Sequence, residues 1–388
     1  MRIGFDATVL APGTRLTGGG EYAAHLLRAL AATDRDDSYV LYGPPGMTRP
    51  GDIPGSMEWR QLSRGRFGKL SALYNHLFNL PRQVRGDRID VFHAPTVHTR
   101  PSMPPAPRGL GCPIVVTVHD LIPITFYEAN GQALPLRMRT FYKWNLRRAL
   151  RADHIITVSE TSKAEIVRFA GIPGERVSAI YNGAGRPCTT GDEEKSLNRL
   201  GVRRPFILFV GSWEPRKNLR RLLEGFDSAG RDGLDADLVL IVERESGHAA
   251  EILRYARTLG CHDRLTFLHS ISDSDVWALY RQAEMLAYPS LYEGFGLPPV
   301  QAMTCGTPVV SSPNGALREV LGEAALYIDP LEPGSIATGL LEVSRDAGLR
   351  RRLSQAGIEQ ARRYSWEETA RQTAAVYHAL AGKAEHEA

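Results

Sequence analysis

A chain of 388 residues with 43% hydrophobic and 23% charged residues holds enough apolar material for about two globular domains, each with its own core. No run of eighteen apolar residues occurs and Met1-Arg-Ile-Gly-Phe-Asp6 opens directly as a strand, while Cys112, Cys188, Cys261 and Cys305 are scattered, which argues against a membrane span, a secretory leader, a disulfide framework or a zinc site and for free thiols in the cytoplasm. The net charge of +4 hides an asymmetry: 24 Lys+Arg against 15 Asp+Glu up to Arg186 (+9), then 23 against 28 (−5), so the first half is expected to meet an anionic partner, though not a nucleic acid.

Ile3 to Ala7 reads as a strand, Thr17-Gly-Gly-Gly20 as a glycine loop, and Glu21 to Leu30 as a helix. Strand, glycine loop and helix open a nucleotide-binding βαβ unit, with backbone N–H groups aimed at phosphate. A second strand follows at Tyr39 to Tyr42, and the stretch from Pro44 to Arg66 reads as an exposed excursion rich in Pro and Gly. Phe67 to Leu80 alternates at helical spacing between Arg64, Arg66, Arg82, Arg85 and Arg88, a pattern that suits a helix covering a sheet or one lying on an anionic membrane. Strands are predicted at Asp90 to His93 and Ile114 to Asp120, with a proline-rich loop between them at Pro101 to Pro107. His119 and Asp120 stand at the carboxyl end of the latter strand, where ligands bind in open α/β sheets, which makes His119 a candidate. A second basic helix carries Arg137, Arg139, Lys143, Arg147, Arg148 and Arg151 among Phe141, Tyr142 and Trp144.

Gly191 to Leu200 reads as a polar linker, after which the βα rhythm restarts at Phe206. Strands at Leu238 to Val242, Leu265 to Leu268, Met285 to Tyr288, Pro308 to Val310 and Ala325 to Ile328 alternate with helical segments, implying a parallel sheet with helices on both faces. Arg216 and Lys217 follow the Phe206 strand, a place from which a guanidinium fork and an ammonium can meet phosphate oxygens. Glu293-Gly-Phe-Gly-Leu297 then precedes Pro298 and Pro299, residues suited to the first turn of a helix. A carboxylate thus precedes a helix start that attracts anions. The Asp-x-Asp triplets at Asp34/Asp36, Asp235/Asp237 and Asp273/Asp275 lie beside helices, where Asp serves turns and caps, and no metal site is expected. Ser365 and Glu368 have the spacing of a capping box for the last helix.

The run from Pro289 to Ser311 resembles the donor-site motif of the retaining glycosyltransferases of family 4, a GT-B group, in which a Glu and a second Glu stand on either side of seven residues. Here the pair is Glu293 and Gln301, so the second carboxylate is replaced by an amide. The resemblance implies two Rossmann-like domains with parallel sheets facing across a cleft: an acceptor-binding domain over 1–187, a nucleotide-sugar-binding domain over 188–364, and a closing helix over 365–388 that crosses back to the first domain. It gives Glu293 a hydroxyl of the donor sugar, Gln301 the ribose, Arg216 and Lys217 the diphosphate, His119 the vicinity of the sugar, and Gly19 and Gly20 the diphosphate. Gly294, Phe295, Gly296 and Leu297 join the donor site, as does Ile271, whose segment contacts the nucleobase through its backbone; His269 stands there where the family often has Gly. The Glu-Pro-Arg-Lys-Asn turn and the His-Asp-Leu-Ile-Pro run look most like mannosyltransferase-type members. The implied activity is metal-independent, cofactor-free transfer of a hexose such as mannose, with GDP-mannose as one donor, to a glycan, lipid-linked or small-molecule acceptor. A cytoplasmic location follows, with peripheral contact to the inner membrane face through the N-terminal domain. A nucleotide-sugar epimerase, or a silent nucleotide-sugar-binding protein, would share the same donor pocket.

Overall fold

A computed structural model describes residues 1–11, 18–34, 36–62, 71–98, 106–127, 135–185, 193–242 and 249–387. The chain divides into two compact units, Met1–Gly183 with Ser365–Ala388, and Ala184–Tyr364. Each is a Rossmann-like layer structure around a wholly parallel sheet.

In the first unit the strands are β1 (Arg2–Asp6), β2 (Ser38–Gly43), β3 (Glu58–Gln61), β4 (Val91–Ala94), β5 (Ile114–Thr117), β6 (His154–Thr157) and β7 (Val177–Ala179), in the order β3-β2-β1-β4-β5-β6-β7. Phe5 is paired with Leu41 on one side and His93 on the other. In the second unit β8 (Phe206–Val210), β9 (Asp237–Ile241), β10 (Leu265–Leu268), β11 (Met285–Tyr288), β12 (Val309–Ser311) and β13 (Leu326–Tyr327) take the order β10-β9-β8-β11-β12-β13. Helices cover both faces of such sheets, so their strands are continuous apolar runs. Phe206, Ile207, Leu208 and Phe209 are fully buried, each contributing about 1.5–3 kcal/mol of burial. The helix Leu219–Arg231 turns Leu219, Leu222, Leu223, Phe226 and Ala229 onto that sheet, at the spacing one helical face demands.

The helix Trp366–Glu387 belongs to the first unit, packing Trp366, Ala370 and Tyr377 into one core with Tyr22, Leu26 and Leu30 of the helix Gly18–Thr33. Thr369 Oγ1 donates to the Tyr181 carbonyl at 2.7 Å, and the Tyr377 hydroxyl lies 2.6 Å from His93 Nδ1. Of the capping box, Ser365 Oγ accepts from the Glu368 N–H at 3.1 Å, but the Glu368 carboxylate turns to Arg371 and Gln372.

Four sequence expectations change. The excursion after β2 contains β3, an edge strand paired to β2 and carrying Glu58 and Arg60, with Ile53, Met57 and Leu62 buried beside it. Its polar side chains suit an edge, and hide it from a hydrophobic pattern. The supposed linker is the helix Glu193–Leu200, anchored by buried Leu197 and by Glu193 bonding Arg281. Gly18 to Gly20 form the first turn of a helix, not a loop before it. The first basic helix, whose start with Arg64 and Arg66 lies outside the described residues, runs from Ser71 through a π-helical Asn75–Asn79 to Gly86. No helix among the described residues is long and apolar enough to cross a membrane.

Candidate active site

In the second unit the chain leaves β8 through a short 3-10 turn, Pro215–Lys217, and Asn218 adopts a left-handed φ of 61°. Asn218 holds that conformation because its Nδ2 donates to the carbonyls of Pro289 (3.0 Å) and Pro330 (2.6 Å). Leu291 N–H donates to the Arg216 carbonyl at 2.7 Å. The turn after β8 is thereby tied to the loop after β11, and three charged side chains converge at the carboxyl ends of the two strands. Glu293 accepts from Arg216 Nη1 at 2.8 Å, from Lys217 Nζ at 2.7 Å and from the Tyr288 hydroxyl at 3.1 Å. Lys217 also donates to Tyr288 at 2.6 Å, and Arg216 Nε to the exposed Glu214 at 2.7 Å.

Glu293 and Lys217 are buried, at 6% and 7% exposure, so each depends on the other for its charge. Burial pushes the Glu293 carboxyl up, but Arg216 and Lys217 outweigh it and hold it at about 2. Burial draws the Lys217 ammonium down, against the pull of Glu293 upward. The knot is a desolvated cationic pair with one carboxylate between its members.

Backbone conformation places Glu293. Gly296, with φ 89°, caps the helix Leu297–Thr304, whose first turn takes Pro298 and Pro299. Gly315, with φ 61°, passes so close that a Cβ there would lie 2.4 Å from the Glu293 carbonyl oxygen and 2.8 Å from its nitrogen. Gly315→Ala should therefore shift Glu293 off Arg216 and Lys217, lowering both the melting temperature and any turnover; unchanged values of both in unfolding and rate assays would show that the loop yields freely. Gly294 and Phe295 are buried, and Phe295 meets Tyr364 edge-on at 5.5 Å. Gln301 is half-buried, four residues into its helix, with its Oε1 accepting from the Tyr280 hydroxyl at 3.2 Å. Beyond β10, His269 Nδ1 lies 3.0 Å from the Val242 carbonyl, Ser270 has φ 51°, and Ile271 is half-buried just before the Ser272 cap.

In the first unit His119 follows β5, its Nε2 at 3.1 Å from the Pro95 carbonyl and its ring edge-on to Tyr22 at 4.8 Å. Burial, with His98 adding to it, pulls His119 down to about 4 against the bond to Pro95, so the ring is neutral at pH 7 and Nε2 carries the proton given to Pro95. A Cβ on Gly19 would lie 3.1 Å from Thr96 Oγ1 and 3.8 Å from His119 Nε2, which brings Gly19 beside His119; Gly20 is buried in the next position of the same turn.

The sequence reading missed several polar groups at these strand ends. Tyr288 reads as one more apolar strand residue, yet its hydroxyl binds both Lys217 and Glu293. Asp6, the last residue of β1, accepts from Thr8 and lies 3.0 Å from His76 Nε2. His93, at the end of β4, spans Tyr377 and Thr117. A polar residue at the carboxyl end of an apolar strand is the signal that would have marked them. The Asp-x-Asp residues are used locally: Asp34 accepts from Tyr39, Asp237 pairs with Arg203, and Asp275 accepts from Ser272 and Arg199.

A family model described as Glycosyl transferases group 1 matches residues 192–360, and one described as Glycosyltransferase Family 4 matches residues 16–184. The O-antigen chain mannosyltransferase B of Escherichia coli is 28% identical over 385 residues, 94% of this chain and 97% of that one. The O-antigen chain mannosyltransferase RfbU of Salmonella typhimurium is 31% identical over 215 residues, 55% of this chain and 56% of its own length. HepE of Anabaena, solved in complex with UDP-glucose, has the same fold, with a TM-score of 0.73 at 20% identity over 98% of this chain and all of that one. Two contiguous family matches, one on each Rossmann-like unit, place the chain among the family 4 glycosyltransferases of GT-B fold, and it is a glycosyltransferase.

Proposed function

We propose that this glycosyltransferase moves mannose from a nucleotide sugar, GDP-mannose, to a glycan acceptor carried on a lipid at an anionic membrane surface, with retention of anomeric configuration and without a metal ion. The observation that carries the reading is the buried knot of Arg216, Lys217 and Glu293 at the carboxyl ends of β8 and β11. Its two cations are of the kind that draw charge from a departing diphosphate. The two curated relatives described above, both mannosyltransferases, support the choice of sugar.

In this reading the bond from the anomeric carbon to the diphosphate oxygen breaks as the acceptor oxygen bonds to the same face of that carbon. The acceptor proton passes to the leaving phosphate oxygen, and Arg216 and Lys217 carry the charge left on the diphosphate. Glu293 accepts from a sugar hydroxyl and keeps its two cations oriented. Gly294, Phe295, Gly296 and Leu297 shape the donor pocket, Ile271 meets the base through its backbone, and Gln301 takes the ribose. For the first unit, the roles of His119, Gly19 and Gly20 toward sugar and diphosphate rest on the family resemblance.

Incubating the chain with GDP-mannose, UDP-glucose and ADP-glucose, with and without a chelator, and separating the products tests this. Nucleoside diphosphate should be released from GDP-mannose at a rate the chelator leaves unchanged, and Gln301→Glu should tighten donor binding in calorimetry. No turnover of any donor, or turnover abolished by chelation, would overturn the reading.

A further inference from the structure

The chain enters the second unit at Ala184 and leaves it at Tyr364. Tyr364, the last residue of that unit, is buried, and its carbonyl, ring and hydroxyl are each committed to a different segment. The carbonyl accepts from the Ala184 N–H at 3.1 Å, which anchors Tyr364 to the point of entry. The ring meets Phe295 edge-on, with centroids 5.5 Å apart and planes at 90°, an orientation that aromatic quadrupoles favour. The hydroxyl donates to the Val320 carbonyl at 2.8 Å and accepts from Gln360 Nε2 at 3.3 Å, while Gln360 Nε2 also donates to that carbonyl at 2.7 Å.

Ring and hydroxyl both lead to Glu293. Phe295, at 4% exposure, stands two residues after it in the loop that follows β11. Val320 lies on the helix Leu317–Leu321. Its N–H donates to the Ala316 carbonyl, and the Ala316 N–H donates to the Glu293 carbonyl, both at 2.9 Å. Leu317 of the same helix packs against Gly296, where a Cβ would lie 2.5 Å from Leu317 Cδ2. The backbone of Glu293 is thus held from two sides, by contacts that converge on Tyr364. An apolar side chain would fill the same space, but the hydroxyl adds direction by fixing the ring against Phe295. Such support matters because hydrogen bonds weaken steeply off their geometry, and a displacement of about 1 Å at a reacting centre can cost roughly a hundredfold in rate.

We propose that Tyr364 is a positioning residue of the transfer reaction: through Phe295 and through the helix Leu317–Leu321 it holds the backbone of Glu293 where the carboxylate spans Arg216 and Lys217. The inference rests on the catalytic reading of that knot.

The test compares the parent chain with Tyr364→Leu, which keeps the site apolar and filled, with Tyr364→Phe, which loses only the hydroxyl, and with Leu349→Ala. The last is a control for lost packing, since Leu349 is a buried core residue of the same unit. Tyr364→Leu should lower kcat about tenfold to a hundredfold and leave the donor KM within about threefold. Leu349→Ala should lower the melting temperature and keep the parent kcat. A second readout needs no turnover. The Glu293 carboxyl, held at about 2 by its cations, should stay ionised down to about pH 3 by carbon NMR in the parent and in Leu349→Ala, and should titrate at higher pH in Tyr364→Leu. Tyr364→Phe should lie between parent and Tyr364→Leu in both readouts, and it decides the matter alone if Tyr364→Leu does not fold. Loss of kcat in step with melting temperature in every variant, the control included, or a Glu293 titration unmoved by either Tyr364 substitution, would overturn the proposal. A parent chain that turns over no donor strikes the catalytic reading, and the titration still decides whether Tyr364 sets the carboxylate.

Discussion

Glu293→Ala should cost the second unit about 3–5 kcal/mol of stability as well as its turnover. The alanine takes the carboxylate away from the buried Lys217 ammonium, which keeps the Tyr288 hydroxyl at 2.6 Å, and from Arg216, which keeps the exposed Glu214 and the Tyr292 carbonyl at 3.4 Å. Glu293→Gln separates folding from chemistry, because it keeps the shape and one acceptor oxygen while removing the charge. The acid limb of unfolding gives an independent reading. In the fold the carboxyl is held at about 2, below its ordinary value of 4.5, so between those values the unfolded chain binds more protons. The stabilisation is therefore complete above about pH 4.5 and is lost as pH falls toward 2. Urea unfolding from pH 2.5 to 6 should show this loss in the parent chain and not in Glu293→Gln. Identical pH dependence in both would mean that the carboxylate is not paired as described.

Lys217→Met should lower kcat by about a hundredfold to a thousandfold. The methionine keeps most of the buried stem and drops only the cation, while Glu293 retains Arg216 at 2.8 Å and Tyr288 at 3.1 Å, so the chain should remain folded. Arg216→Ala should do the same to kcat with a small loss of stability, since Arg216 is partly exposed. Charge builds on the diphosphate in the transition state, so the effect belongs in kcat more than in the donor KM. Steady-state rates of nucleotide release measure it, and a kcat within tenfold of the parent for either variant would remove these cations from the leaving-group role.

Much of the fold was legible because parallel strands buried on both faces are unbroken apolar runs, as in Phe206 to Val210 and Ile114 to Thr117. Arg216, Lys217 and Glu293 stood out because charges just past such runs are costly unless used. What stayed hidden was structure made by backbone pairing or by hydroxyls. The strand Glu58–Gln61 is held by its pairing with β2 while its side chains point mostly to solvent. The helix Glu193–Leu200 buries one leucine and reads as a polar linker. Tyr288 was invisible because its ring satisfies the strand pattern while its hydroxyl does the polar work. The pairing of Asp6 with His76 joins residues 70 apart in sequence, a distance no local pattern spans.

The helix Trp366–Glu387 completes a core whose other members lie before residue 184. During synthesis the lobe that emerges first must therefore wait, with the surface around Tyr22, Leu26 and His93 uncovered, until Tyr377 has left the ribosome. The lobe translated later can close before it, so the order of maturation runs opposite to the order of the codons.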